Sequence, residues 1–157
     1  MAIALADLLD TRQVTLTLRS RTAENAIHEL VGLLAANEQL TAPEKFAEQI
    51  IARERANPSI VEAGVVFPHA RSDLAEKIVL AIGRKTAGIP FGEQSARANL
   101  IFLIGVPQRL VNDYLICVGA LARIARNDEI RSELMRVNTP EKFIELLTAA
   151  SSPEGSI

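Results

Sequence analysis

The chain has 157 residues, 48% of them hydrophobic and 23% charged, one domain's worth of chain with ample apolar material for a core. Its 17 basic and 19 acidic side chains are interspersed and leave a formal charge of −2, which excludes recruitment of nucleic acid or an anionic membrane by bulk charge. A lone cysteine excludes an internal disulfide: Cys117 stands among Ile116, Val118 and Leu121, where burial as a small hydrophobe in a reducing compartment is expected.

The first ten residues carry Asp7 and Asp10 and no basic region ahead of an apolar segment, and the longest apolar run, Leu100 to Ile104, is too short to span a bilayer. A cytoplasmic location is expected. Gln13 to Leu18 alternates weakly and predicts a strand. Thr22 is placed to cap a helix whose apolar residues, Ala23, Ala26, Ile27, Leu30, Val31 and Leu34, recur at helical spacing. Thr41 and Glu44 have the spacing of a capping box and predict a second helix from about Ala42 to about Ala56, with Phe46, Ile50 and Arg53 in line along it.

Three runs rich in β-formers follow, Ile60 to Phe67, Lys77 to Arg84 and Asn99 to Val106, separated by Gly, Pro, Asp and Ser. After Pro107 a period of 3.6 returns with Leu115, Val118, Leu121, Ala122 and Ala125, then a short segment from Asp128 to Met135, and a last helix opened by Thr139-Pro140-Glu141. Pro-Glu-Lys-Phe occurs at both Pro43 and Pro140, each time after a threonine, so shared capping chemistry explains it better than a repeat. The order predicts an α/β fold, a mixed β-sheet flanked by helices in a single domain over residues 1–150, with a disordered tail over 151–157.

Gly64-Val65-Val66-Phe67-Pro68-His69-Ala70-Arg71 concentrates the chemistry. Pro68 has no N–H and stops a strand ladder, so Val65 to Phe67 are expected to bury and His69 to emerge beyond them at the rim of the sheet. An exposed imidazole accepts a proton, a metal ion or a phosphoryl group. Metal binding lacks further ligands, since there is no HExxH and no cysteine pair, and the other histidine, His28, lies on a different element, off its apolar stripe and toward solvent. Ser72 and Asp73 follow closely, but no nucleophile elbow accompanies them, and no Walker loop or GxGxxG is present.

Arginines remain. Arg53 shares a helix face with Phe46 and Ile50, and Arg71 follows His69 by two residues, so two guanidiniums are available for an anion on the imidazole. The residues alone leave two readings open: a phosphohistidine site, or a snorkelling Arg53 and a solvated Arg71 beside a histidine that merely ends a strand. Glu54 is expected to pair with Arg53 or Arg55, and Asp73 and Glu76 to form a solvated turn.

With Arg53-Glu54 sixteen residues ahead of His69, the segment Gly64 to His69 resembles the Gly-Ile/Val-Ala-Ile/Leu/Phe-Pro-His motif of one family. These are the type 2 (fructose/mannitol) enzyme IIA domains of the phosphoenolpyruvate-dependent sugar phosphotransferase system, including the nitrogen-regulatory branch. Gly88 to Gly92 is similar to the family's segment after the next strand, and Asn99 to Pro107 to its Leu-Ile-Phe-Leu-x-x-Val-Pro strand, so the resemblance covers almost the whole chain. It implies that His69 takes a phosphoryl group from the histidine-phosphocarrier protein and passes it to a IIB domain, with Arg53 stabilising the phosphate and with no metal, nucleotide or other cofactor. It also implies an active histidine in a shallow depression open to protein partners.

Two positions depart from the family pattern. Pro58 to Glu62 replaces a Ser-Thr-Gly-Ile-Gly approach to the motif, which stiffens it and adds the Glu62 carboxylate near the phosphate. Tyr114 occupies the place of a second histidine, where its hydroxyl offers a hydrogen bond without positive charge. These departures keep a second reading alongside the carrier: a regulatory module of the same fold that binds a target protein with weakened or absent phosphotransfer.

Overall fold

Two apolar runs without polar interruption, Val79 to Ile82 and Leu100 to Ile104, form the centre of a sheet that is covered on both faces. In the computed structural model, which describes residues 4–92 and 96–151, they belong to β4 (Val79–Phe91) and β5 (Ala96–Val106). These pair antiparallel, with Leu80 opposite Ile104 and Ile82 opposite Phe102. β1 (Val14–Thr15) lies parallel to β4 on one side; β2 (Val65–Val66) and β3 (His69–Arg71) lie parallel to β5 on the other, so the sheet is mixed.

Alternation along the strands divides the core. Val79, Ala81, Ile101 and Leu103 pack with α1 (Ala23–Ala36) and α2 (Pro43–Ala56). Leu80, Ile82, Leu100, Phe102 and Ile104 pack with α3 (Val111–Arg126), α4 (Asp128–Arg136) and α5 (Pro140–Ser151). The expected mixed sheet flanked by helices is the architecture found.

Several local expectations are corrected. Ile60 to Phe67 is not one strand, because Ala63 and Gly64 both take positive φ (54° and 78°) and turn the chain between Glu62 and Val65. Two positive φ values in succession define a type I′ turn, closed here by paired bonds between the Glu62 and Val65 backbones at 3.0 Å. β4 runs seven residues past the expected Arg84 terminus. Gly88 and Pro90 signal a turn, but the irregularity between Arg84 and Ile89 is bridged by the Asn99 amide, which donates to the carbonyls of Lys85 and Thr86, and pairing resumes at Ile89.

The weak strand over Gln13 to Leu18 contracts to Val14–Thr15, with Gln13 buried in a 3-10 turn and donating to the Leu80 carbonyl at 2.8 Å. Thr22 and Thr139 cap α1 and α5 as expected, accepting from the backbone of Asn25 and Lys142, each at 3.2 Å. Thr41 does not cap α2. Pro43 occupies the first helical position and makes Ala42 the cap residue, while the Thr41 hydroxyl donates to the Leu74 carbonyl. On α3, Cys117, Leu121 and Ile124 are the buried residues, whereas Leu115 is exposed. Ser151 still belongs to α5, and the rest of the expected tail lies outside the described residues.

Arg84 ties the C-terminal helices to the sheet. Its guanidinium donates to the carbonyls of Leu134 (2.9 Å), Val137 (2.7 Å) and Leu16 (3.3 Å). Burial lowers its pKa. Arg84→Met keeps the aliphatic stem but strands the Leu134 and Val137 carbonyls. It is expected to cost about 2–3 kcal/mol in urea unfolding, and a loss below about 0.5 kcal/mol would remove this role.

Candidate functional site

The line of β2 continues into β3 without a change of register, from Val66 opposite Ile101 to His69 opposite Ile104. Pro68 therefore interrupts the ladder rather than ending it: its carbonyl accepts from the Ile104 N–H at 3.0 Å, and its missing N–H is not needed on that side. This corrects the expectation that Pro68 stops the ladder ahead of His69, since His69 opens a strand of its own. Ala70 is buried in the cluster beneath α1 and α2, so alternation turns His69 and Arg71 to the opposite face, where α3 begins.

The half-buried imidazole is held from two sides. Its Nδ1 lies 3.0 Å from the Phe67 carbonyl oxygen, which only accepts, so Nδ1 carries the hydrogen. Its Nε2 lies 3.2 Å from an Arg53 Nη, which only donates, so Nε2 offers a lone pair. Together these partners specify a neutral ring with its nucleophilic nitrogen facing a cation. Arg53 comes from the last turn of α2 and also donates to the Asn57 carbonyl at 3.4 Å. Among the described residues neither Arg53 nor the exposed Arg71 has a carboxylate partner.

Tyr114, in the first turn of α3, sets its half-buried ring 5.6 Å from the imidazole at a tilt of 34°. Burial pushes its phenol above the usual range, while Arg53 and Arg71 pull it partway back. The structure thus gathers His69, Arg53, Arg71 and Tyr114. Two guanidiniums and a phenol suit an anion on the imidazole, not a metal ion.

Glu62 does not join them. The turn at Ala63-Gly64 leaves its carboxylate exposed, 3.9 Å from the Arg126 guanidinium at the end of α3. Glu54 takes neither expected partner; it accepts from the backbone N–H of Ser59 at 3.0 Å and from the Ser59 hydroxyl, while Arg55 pairs with Glu24. Asp73 accepts from the Gln108 N–H at 3.3 Å, which ties its turn to the end of β5. His28 is exposed on α1. Cys117 is buried, and its thiol is pushed up by burial, then by Asp113 and Asp7.

Sequence reasoning missed two features. One is the Phe67 carbonyl, for which the only signal is its position two residues ahead of the histidine. The other is the apolar pair beside Tyr114, Leu115 and Ile116, which are 57% and 56% exposed. Their positions outside the Cys117-Leu121-Ile124 stripe were the available signal.

A family model described as "Phosphoenolpyruvate-dependent sugar phosphotransferase system, EIIA 2" matches residues 7–150. The chain belongs to this family. Among EIIA 2 relatives, the PTS system fructose-specific EIIABC component of Bacillus subtilis (strain 168) is 24% identical over 144 residues. That match covers 91% of this chain and 23% of the relative, so the chain spans about a quarter of that protein's length.

Nitrogen regulatory protein IIA-Ntr from Neisseria meningitidis shares the fold with a TM-score of 0.79 at 23% identity, over 92% of this chain and 99% of that one. The complex of enzyme IIAMTL and phosphorylated enzyme IIBMTL from Escherichia coli also holds the same EIIA fold. Its TM-score is 0.77 at 20% identity, over 88% of this chain and 96% of that one.

Proposed function

We propose that this EIIA 2 domain is a phosphoryl carrier in which His69 Nε2 accepts a phosphoryl group from the histidine-phosphocarrier protein and passes it to a IIB domain in the cytoplasm. The observation that carries the reading is the Arg53 guanidinium, 3.2 Å from Nε2 and without a carboxylate partner among the described residues, facing a ring whose other nitrogen is held protonated by the Phe67 carbonyl. The Nε2 lone pair attacks phosphorus, the P–N bond of the donor breaks, and its electron pair returns to the donor nitrogen. The phosphorylated ring, now substituted at Nε2 and protonated at Nδ1, is cationic and hydrogen-bonded to Phe67. It then leaves as a neutral imidazole when the acceptor attacks. Arg53, with Arg71 nearby, meets the charge of the phosphoryl oxygens in transit.

Incubation with phosphoenolpyruvate, enzyme I and the histidine-phosphocarrier protein, followed by intact mass under alkaline conditions, is expected to show a gain of one phosphoryl group. No gain, with donor proteins active on another IIA domain, refutes the carrier. Arg53→Met is expected to slow labelling about a hundredfold or more, the usual cost of losing one positioned charge-stabilising donor. A rate within about threefold of the parent removes Arg53 from the site.

A regulatory module is the second reading. The exposed Leu115 and Ile116 beside the site suit a protein partner, and a nitrogen regulatory protein shares the fold. Binding of a target protein that is unaffected by the charge state of His69 would favour it.

A further inference from the structure

A carboxylate in the last turn of a helix faces the negative end of the helix dipole, so Glu54 is unfavourably placed in α2 unless other donors engage it. Ser59 supplies them. The half-buried Glu54 carboxylate accepts from the Ser59 N–H at 3.0 Å and from the Ser59 hydroxyl, which closes the chain from Glu54 to Ser59 into a small loop across the helix end. Asn57 lies inside that loop. Its N–H caps the helix on the Arg53 carbonyl at 2.8 Å, and its own carbonyl accepts from one Arg53 Nη at 3.4 Å, while the other Arg53 Nη lies 3.2 Å from His69 Nε2. Only Pro58, whose ring fixes φ, stands between Asn57 and the clasped Ser59, so there is little play between clasp and carbonyl.

We infer that Glu54 is a positioning residue: by clasping Ser59 it fixes the Asn57 carbonyl, and through that carbonyl the placement of the Arg53 guanidinium against His69 Nε2. This deepens the carrier reading and rests on it. Arginine is a long, rotamer-rich side chain, and holding its head in one place costs conformational entropy that a second anchor offsets. With one Nη held by Asn57, the other is kept on the imidazole, where an arriving phosphoryl group meets it without a search. The role of Glu54 is geometric and does not require its charge. An amide of the same shape serves the clasp, its oxygen accepting from the Ser59 N–H and its nitrogen donating to the Ser59 hydroxyl.

The test compares the full chain with Glu54→Ala, Glu54→Gln, Arg53→Met and the double variant Glu54→Ala/Arg53→Met. Labelling by phosphorylated histidine-phosphocarrier protein is timed by intact mass, and the imidazole nitrogens of the unphosphorylated proteins are read by nitrogen NMR at alkaline pH, where the ring is neutral. Glu54→Ala is expected to label about tenfold more slowly, the scale of a small misplacement of a catalytic group, and Glu54→Gln to stay within about threefold of the parent. On top of Arg53→Met, Glu54→Ala is expected to add less than about twofold, because a residue that acts through Arg53 then has nothing left to place. The His69 Nε2 resonance of Glu54→Ala is expected to move toward that of Arg53→Met, and that of Glu54→Gln to remain with the parent. Parental rate and resonance in Glu54→Ala would overturn the inference. So would a loss repeated in full on top of Arg53→Met, which gives Glu54 an effect of its own, and so would equal losses in the Gln and Ala variants, which assign the effect to the carboxylate charge. If the parent takes no label from an active donor, the carrier reading itself fails and this inference falls with it; a labelled parent with an unaffected Ala variant strikes the inference alone. Circular dichroism of all five proteins separates these outcomes from loss of the fold.

Discussion

His69→Ala is expected to abolish phosphoryl uptake altogether, with the unfolding free energy kept within about 1 kcal/mol of the parent. The loss is complete because, among the described residues, no second nucleophile is placed to substitute. Tyr114, the ring beside His69, is held protonated by burial, and Arg53 and Arg71 only donate. The fold survives because the imidazole is only half-buried and its bonds are peripheral: one to the Phe67 carbonyl two residues away and one to a flexible guanidinium. The strand that bears it is fixed by backbone bonds to β5 that a side-chain truncation leaves alone. Intact mass after incubation with the donor proteins, read beside a urea curve, checks both halves. Residual labelling of the Ala variant would place the acceptor elsewhere.

Phe46→Ala is expected to lower stability by about 3–5 kcal/mol, the cost of a large cavity in a packed core and a large share of the 5–15 kcal/mol typical of a domain. Phe46 lies in the first turns of α2 and is completely buried. Its ring occupies the space over Gly105, where any added Cβ would overlap the ring's Cζ and approach the Val79 side chain. Gly105 is paired with Ala70 on one side and Val79 on the other, so the ring presses on the strand segment that carries His69. The glycine backbone over which the ring sits has no side chain to fill the gap. Phe46→Leu, which retains most of the volume, is expected to lose much less. A loss below about 1 kcal/mol for the Ala variant in urea unfolding would show that the site relaxes after all.

The sequence by itself determined the layers, because burial leaves a periodic trace. The strands β4 and β5, covered on both faces, read as unbroken apolar runs, and α1 shows its inward stripe from Ala26 to Leu34. It also singled out His69 and Arg53, since one falls beside a proline after an apolar run and the other lies in line with Phe46 and Ile50.

Only the tertiary structure decided what meets what. Arg53 and Tyr114 reach His69 from α2 and α3, elements on opposite faces of the sheet, and no local pattern records that convergence. Thr41 and Glu54 carry the local signals of a cap and an ion pair. They bond instead to Leu74 and Ser59, because a side chain takes whichever partner the folded chain brings nearest. Glu62 was placed near the phosphate by its distance along the chain, and two residues of positive φ turn it toward Arg126 instead. Periodicity reports how much of a residue is buried. Direction and partner depend on backbone turns and on residues far away in sequence, and these exist only once the chain has folded.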